Sequence, residues 1–363
     1  MIKTQVTIYD SVKEDIIKGA YKIGSLLPTE QILAKKHSVS RPTISKVYNK
    51  LQIEGYIIKK RGYGSQIINN NGNHINTFGL LLPGSGESEI FNIINDQILK
   101  LSKKNKFNCF WEGATASDAE IRKLHIENYC DHYIQKEVDG IIFCPLERVP
   151  DADAINLRIF NKIINAGIPL VLVDRSLKDV PEVGGYDIVW LDNFDAGRAM
   201  GQHLINKGCE VIHFFYRPGS ANSVNYRLSG VRDIALSNNL KFTKENECCG
   251  DPDDIDFVKK IKIVPGKTGF ICANDSTAAV LLSSLETLGV KITSDCLICG
   301  YDNMKYSEYL KYSLTSYIQP CEEIANISIE LILRRIKNNN QIPLKVNLDG
   351  KIITRESTTF NFQ

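Results

Sequence analysis

The stretch Ser38-Val39-Ser40-Arg41-Pro42-Thr43-Ile44-Ser45-Lys46-Val47-Tyr48-Asn49-Lys50-Leu51 decides how the N-terminal part of the chain folds. Ile44, Val47, Tyr48 and Leu51 stand at i, i+3, i+4 and i+7, which predicts a helix burying a single stripe. Ser40 is placed to cap that helix, and Pro42 suits its first turn. Arg41, Thr43, Ser45, Lys46 and Asn49 are left on the outer arc, where cations and short polar groups can meet a phosphate backbone and base edges. A merely solvated helix face has the same pattern, so the neighbouring segments carry the decision.

Upstream, Ile8, Val12, Ile16 and Ala20 mark a first helix ending near Gly19 and Gly24. Thr29 can cap a second, short helix carrying Ile32, Leu33 and Ala34, and His37-Ser38-Val39 is a tight connection. Downstream, Glu54-Gly55 ends the third helix. Tyr56-Ile57-Ile58 and Ser65-Gln66-Ile67-Ile68 then read as short strands around Lys59-Lys60-Arg61-Gly62-Tyr63-Gly64. Three helices and a basic, glycine-tipped hairpin are the parts of a winged helix-turn-helix, whose third helix enters the major groove while the wing grips the adjacent backbone or minor groove. Charge agrees: residues 1–70 hold 12 Lys+Arg against 5 Asp+Glu, and the remainder 32 against 37. A basic module on a mildly acidic body points to a polyanionic partner.

Leu27-Pro28-Thr29-Glu30, Val39-Ser40-Arg41-Pro42-Thr43, Leu51-x-x-x-Gly55-Tyr56 and Arg61-Gly62-Tyr63-Gly64-Ser65 resemble the DNA-binding domain of GntR-type bacterial transcription regulators over nearly all of residues 5–69. The resemblance implies contacts to a double-stranded DNA operator by Arg41, Thr43 and the wing at Gly62. Thr29, Ser40, Ser45, Lys46, Arg61 and Tyr63 complete the candidate DNA-binding set. Gln31 and Ser45 stand where this family commonly has arginine, and Lys46 is assigned to phosphate.

Asn69-Asn70-Asn71-Gly72-Asn73-His74 is a polar, turn-rich boundary, giving a DNA-binding domain at 1–69, a linker at 70–76 and an effector domain at 77–363. Beyond it, Phe78–Leu82, Phe107–Trp111, Gly140–Cys144, Pro169–Val173, Ile212–Phe215, Thr268–Cys272 and Cys296–Gly300 alternate with helical patterns around 90–104 and 117–136 and onward. Near-continuous apolar strands spaced by helices predict parallel sheets covered on both faces. Ligands bind outside the carboxyl ends of such strands. There stand Asp174-Arg175, Asn274-Asp275 and Asp302-Asn303, with Tyr226-Arg227 opening a helix. Fixed acceptors and forked donors suit the hydroxyls of a sugar, although Asn274 reads equally as a helix cap.

Val138-Asp139-Gly140-Ile141-Ile142, Gly167-Ile168-Pro169 through Arg175, Asp192-Asn193 with Ala196-Gly197, Arg227-Leu228-Ser229-Gly230, Ala273-Asn274-Asp275, Gly300–Asn303 and Leu314–Pro320 resemble the effector domain of LacI-type repressors and periplasmic sugar-binding proteins. The likeness spans 76–363. It implies an α/β, two-lobed type I periplasmic-binding-protein-like clamp behind the winged helix-turn-helix. Lobe 1 is placed at about 77–190 and 319–341, and lobe 2 at about 191–317 and 346–363, with crossings near 190–192, 317–319 and 341–346. By motif position it implies a monosaccharide effector held by Asp174, Arg227, Asn274, Asp302 and Gln319. Glu89, Phe91 and Arg175 are added, with Asn193, Trp111, Glu112 and Trp190 as lesser candidates. It also implies a homodimer. GntR-type DNA binding joined to a LacI-type sensor resembles the arabinose repressor subgroup, which suggests pentose or hexose control.

Composition leaves room for this reading. At 363 residues, with 24% charged and 43% hydrophobic residues, the chain suits a multidomain globular protein. No apolar run of about 18 residues and no secretory h-region is present, so a cytoplasmic, membrane-free protein is expected. Cys296 and Cys299 have C-x-x-C spacing without a second pair or histidine partner, and core packing is the preferred reading. No metal-ligand set stands out and no cofactor is expected. The six histidines show no H-E-x-x-H or nucleophile-elbow context, and Gly84-Ser85-Gly86-Glu87 reads as a loop, so an enzyme is not expected. Two other readings stay open. A solute-binding protein shares the fold, and a phosphorylated or purine effector would want cations such as Arg175 and Arg227.

Overall fold

The computed structural model describes residues 5–60, 62–70, 75–84, 89–112, 119–177 and 186–360. They form two compact units, one ending at Asn76 and the other beginning at Thr77.

The first unit is α1 (Gln5–Ile17), α2 (Glu30–His37), α3 (Arg41–Ile53) and the antiparallel hairpin β1 (Ile57–Lys60) and β2 (Gly64–Ile67). The stripe Ile44, Val47, Tyr48 and Leu51 is at most 1% exposed and packs with Ile8, Val12 and Ile16 of α1 and Leu33 of α2. The first helix stops at Ile17, short of Ala20, which is exposed. Thr29 caps α2 through Ile32 N at 3.3 Å, and Ser40 caps α3 through Thr43 N at 3.4 Å. Tyr48 OH donates to Pro28 O at 2.6 Å, tying α3 to the turn before α2.

The second unit has two lobes. The chain runs through β3 (Thr77–Leu81), α4 (Glu89–Asn105), β4 (Asn108–Phe110), α5 (Ala119–Gln135), β5 (Gly140–Phe143), α6 (Ala152–Asn165), β6 (Leu170–Val173) and β7 (Asp187–Leu191) in lobe 1. It crosses at Asp192 into α7 (Asn193–Asn206), β8 (Val211–Tyr216), α8 (Asn222–Ser237), β9 (Glu247–Cys249), α9 (Ile255–Val258), β10 (Thr268–Cys272), α10 (Asp275–Thr287), β11 (Cys296–Tyr301) and β12 (Thr315–Ile318). It returns at Gln319 to α11 (Cys321–Lys337) and β13 (Lys345–Leu348) in lobe 1, then crosses once more to β14 (Lys351–Ile353). Lobe 1 carries the all-parallel sheet β13-β7-β6-β5-β3-β4. Lobe 2 carries β14-β12-β11-β10-β8-β9, parallel except for β14.

The unbroken apolar strands follow from burial on both faces. In β5, Ile141 and Phe143 enter one core and Ile142 the other. In β11, Cys299 faces one core and Cys296 the opposite one. The C-x-x-C spacing, placed on a strand, therefore points the two thiols to different faces.

The third crossing differs from the expectation. Lys345–Leu348 pairs with β7 in parallel, Val346 opposite Val189, so lobe 1 extends to Leu348 and the crossing lies at 349–350 rather than 341–346. Val346 and Leu348 add apolar contacts to the lobe 1 core. Buried Asp187 secures this edge, accepting from Arg335 Nε at 2.6 Å and from Leu344 N at 2.6 Å. Only the pairing partner shows where the chain leaves lobe 1.

Candidate functional site

In the first unit, Arg41 and Lys46 are exposed on α3, and Thr43 and Ser45 are half-buried beside them. Gly62 holds φ 77° at the hairpin tip, a backbone that glycine adopts freely, and Tyr63 next to it is 58% exposed. Arg61 lies outside the described residues. Thr29 and Ser40 spend their side-chain oxygens on helix caps. Glu30 is the residue that sequence reading passed over. Its carboxylate takes Arg41 Nε at 3.2 Å and Lys59 Nζ at 3.2 Å, joining the start of α3 to the first wing strand. Burial alone would raise its pKa, but hydrogen bonds from Lys59 and Arg41 hold it below the usual carboxylate range. A carboxylate so placed orients two cations without removing the basic character of the face.

In the second unit, strand ends from both lobes meet at a cavity of about 130 Å³. Six of the eight expected effector residues line it: Asp174, Arg175, Arg227, Asn274, Asp302 and Gln319. Asp174 follows β6 and Asp302 follows β11. Both sit at positive φ, 68° and 99°, with their N–H groups donating to Val189 O and Tyr317 O of the neighbouring strands. Left-handed backbone at a non-glycine residue persists where the surroundings over-determine it, and here it turns each carboxylate off the strand end.

The polar groups are mostly partnered with each other. Arg175 donates to Asp174 Oδ2 at 2.9 Å and to Pro145 O at 3.2 Å, and pairs with Glu147 at 2.9 Å. Buried Arg227 donates to Asn193 Oδ1 at 2.8 Å and Ala273 O at 2.7 Å, with its guanidinium 4.4 Å from the Tyr301 ring centroid. Gln319 Nε2 donates to Asp302 Oδ1 at 2.7 Å, while Gln319 Oε1, on a residue only 4% exposed, has no partner among the described residues. Burial raises the Asp302 pKa, opposed by the Arg227 charge and the Gln319 hydrogen bond. Asn274 lines the cavity and also caps α10, accepting from Thr277 N at 2.9 Å.

Just beneath, Asp275 is fully buried and accepts from Ser316 Oγ at 2.7 Å and Met304 N at 2.8 Å. Burial, together with the Asp302 charge, pushes its pKa up to about 8.

Glu89 and Phe91 are not in the lining. Phe91 is 1% exposed in the lobe 1 core, Glu89 accepts from Lys305 N of lobe 2 at 2.6 Å, and Ile90 between them reaches the cavity instead. The sequence left the phase of α4 open because Ile90, Phe91, Ile94, Asn95 and Ile98 are all buried. Of the lesser candidates, Trp190 donates to Asn347 Oδ1 and packs edge-on to Tyr226. Glu112 pairs with His132, and Asn193 orients Arg227. Trp111 packs against the lobe 1 core. The cavity also draws in Glu147, Arg148, Arg217 and Ser220, which the sequence reading missed. The strand-end rule could have found them, since Glu147-Arg148 follow β5 and Arg217 follows β8 directly.

The lobes are joined at the cavity's rim. Arg148 N donates to Gly219 O at 2.9 Å, Ala221 N to Glu147 Oε2 at 2.9 Å, and Asn222 Nδ2 to Ser176 Oγ at 2.6 Å. A wider cavity of about 640 Å³ adjoins and shares Glu147, Arg175 and Ser220. The smaller one holds the convergent strand-end groups and is the better candidate despite its size.

A basic helix-and-wing unit in the same chain as a two-lobed parallel α/β clamp with a polar cleft is the make-up of a ligand-responsive DNA-binding regulator. Residues 4–67 match the gntR family of bacterial regulatory proteins, and residues 202–358 match the periplasmic binding protein-like domain. The chain is 25% identical over 352 residues to the HTH-type transcriptional repressor PurR of Aliivibrio fischeri, covering 91% of this chain and 98% of that protein. A LacI family transcriptional regulator from Enterococcus faecium with bound ribose shares the fold (TM-score 0.61, 24% identity, 79% of this chain and 100% of that one). So does a periplasmic binding protein/LacI transcriptional regulator from Alkaliphilus metalliredigens complexed with D-xylulofuranose (TM-score 0.60, 26% identity, 77% and 98%). The chain thus joins a gntR-type DNA-binding unit to a periplasmic binding protein-like, ligand-binding effector domain with the fold of LacI-type regulators. Among the described residues no helix is long and apolar enough to cross a membrane.

Proposed function

We propose that the protein is a transcriptional repressor, working in the cytoplasm as a homodimer whose operator affinity is set by a monosaccharide bound between the lobes of the second unit. The observation that carries the reading is the convergence of Asp174, Arg227, Asp302 and Gln319, from both lobes and a crossing, on one polar cavity. Carboxylates and a carboxamide accept from hydroxyls, and arginine donates to them, in the fixed geometry a sugar ring requires. The bound D-xylulofuranose of the Alkaliphilus metalliredigens protein supports the same class of ligand. Arg41, Thr43, Lys46, Gly62 and Tyr63 are the operator contacts in this reading, and Glu30 positions Arg41.

A sugar switches the protein only through differential affinity for two lobe arrangements. Paired DNA-binding units then match or miss the half-site spacing. The test is fluorescence anisotropy on duplexes from the chain's own upstream region, with and without pentoses and hexoses. Release by a sugar supports the reading. An operator complex indifferent to every sugar, charged or neutral, refutes it.

A further inference from the structure

Resting on the sugar reading above and narrowing it, we infer that the effector is an anionic monosaccharide whose acidic group lies between Arg148 and Arg217, with its hydroxyls towards Asp302, Gln319 and Arg227. The charges lining the cavity explain why. Four arginines face it, at 148, 175, 217 and 227, against the carboxylates Glu147, Asp174 and Asp302. Arg175 is neutralised by Asp174 and Glu147, each at 2.9 Å. Arg227 is held by Asn193 and Ala273 O, with Asp302 as its nearby countercharge. The two cations a sequence reader would offer an anion are thus already committed.

Arg148 and Arg217 are not. Among the described residues, no side chain pairs with the Arg148 guanidinium. Among those residues Arg217 has only a long contact, 3.6 Å, to Asp251, a carboxylate 57% exposed, and its buried Nε has no partner there. Arg148 belongs to lobe 1 and Arg217 to lobe 2, and the Arg148 N to Gly219 O bond brings their segments together. Closing the lobes therefore brings like charges close. The pKa of Arg148 is lowered by burial and by the Arg217 charge, only partly opposed by the Glu147 and Asp251 carboxylates. An anion between the two guanidiniums would turn that repulsion into two charge-assisted hydrogen-bonded pairs. The α8 N-terminus, opening beside Ser223 on the same wall, adds partial positive charge. Independently, Gln319 Oε1 is a buried acceptor lacking a donor among the described residues, which a ligand hydroxyl supplies and a bare anion does not.

The test uses the full-length protein and thermal shift at low salt. The probes are glucose and ribose, glucose 6-phosphate and ribose 5-phosphate, gluconate and galacturonate, and inorganic phosphate. At least one phosphorylated or carboxylated sugar is expected to raise Tm at a concentration tenfold or more below its neutral parent and below inorganic phosphate. Which arm responds separates a phosphate from a carboxylate. The double variant Arg148→Ala/Arg217→Ala removes a repulsion, so its ligand-free Tm should not fall, while the half-saturating concentration of the anionic sugar should rise at least tenfold. A neutral sugar that saturates as readily as its anionic counterpart, or a double variant that binds the anionic sugar unchanged, overturns the inference and leaves the sugar reading intact. Silence from every sugar overturns both.

Discussion

Arg227 shows what one buried cation does in this protein. At 5% exposure it satisfies two acceptors in lobe 2 and offers its charge to Asp302. Arg227→Ala leaves Asn193 Oδ1 and Ala273 O without their donor, which costs about 1–3 kcal/mol in chemical denaturation. It should also abolish the effector response while operator binding by the free protein persists. A variant that remains inducible would contradict the cavity assignment. Asp275 carries the pH dependence. Its pKa is about 8 in the folded chain against an ordinary 3.8, so the folded state keeps a proton the unfolded state has lost between those values. Its contribution to stability is fully present below about pH 4 and declines as pH rises to about 8. Asp275→Asn should flatten the fall of Tm between pH 5 and 9, and an unchanged slope would assign the titration elsewhere. Asp174 and Asp302 were legible because they stand at strand ends, and Arg227 through its motif alone, since α8 begins at Asn222 and not at Tyr226 as expected. Arg148 and Arg217 stand at such ends too, but only folding reveals that the neighbours of Arg175 and Arg227 consume those charges and leave Arg148 and Arg217 to spare.

At the scale of elements, α3 was readable in full, since its stripe, cap and proline are all local features and each is realised. Arg41→Ala should weaken operator binding severalfold or more in gel retardation and leave Tm within a degree or two, because Arg41 is exposed and its pair with Glu30 adds at most about 1 kcal/mol. Unchanged retardation would remove α3 from the interface. The contact between α7 and α8 was not readable in the same way. A Cβ on Gly197 would overlap Arg227 O, and one on Gly230 would overlap Phe194 O, so the helices cross backbone to backbone. That close crossing sets where Arg227 begins its reach towards the cavity. Gly197→Ala should destabilise by about 1–3 kcal/mol, as overpacking does, and weaken effector binding as well. A variant with full stability in denaturant titration would show that α8 can shift freely. Strand β13 escaped for a related reason: its alternating Lys345-Val346-Asn347-Leu348 fits an edge in either lobe, and Asp187 and β7 make the choice.

At the scale of the whole molecule, the second unit is a hinge with three crossings and a rim latched by Glu147, Ser176, Asn222 and the Arg148 backbone. Asn222→Ala removes one latch without touching the cavity floor, so it should raise the sugar concentration needed for operator release and leave ligand-free operator binding alone. Equal dose curves would mean that the latch does not distinguish the lobe arrangements. Saturating ligand should stabilise the folded chain by about 2.7 kcal/mol at a hundredfold excess over Kd, readable as a rise in Tm. By itself the sequence determined the two-part plan, the winged helix-turn-helix, the parallel α/β clamp and most of the cavity's polar ends. Those follow from short-range periodicity, caps and strand-end position, which a linear reading can see. Tertiary structure alone decided which helix phase faces the cavity, which lobe takes the last crossing and which arginines retain charge to spare. Each of these depends on partners distant in sequence, and on the desolvation and pairing that arise only once those partners are packed together.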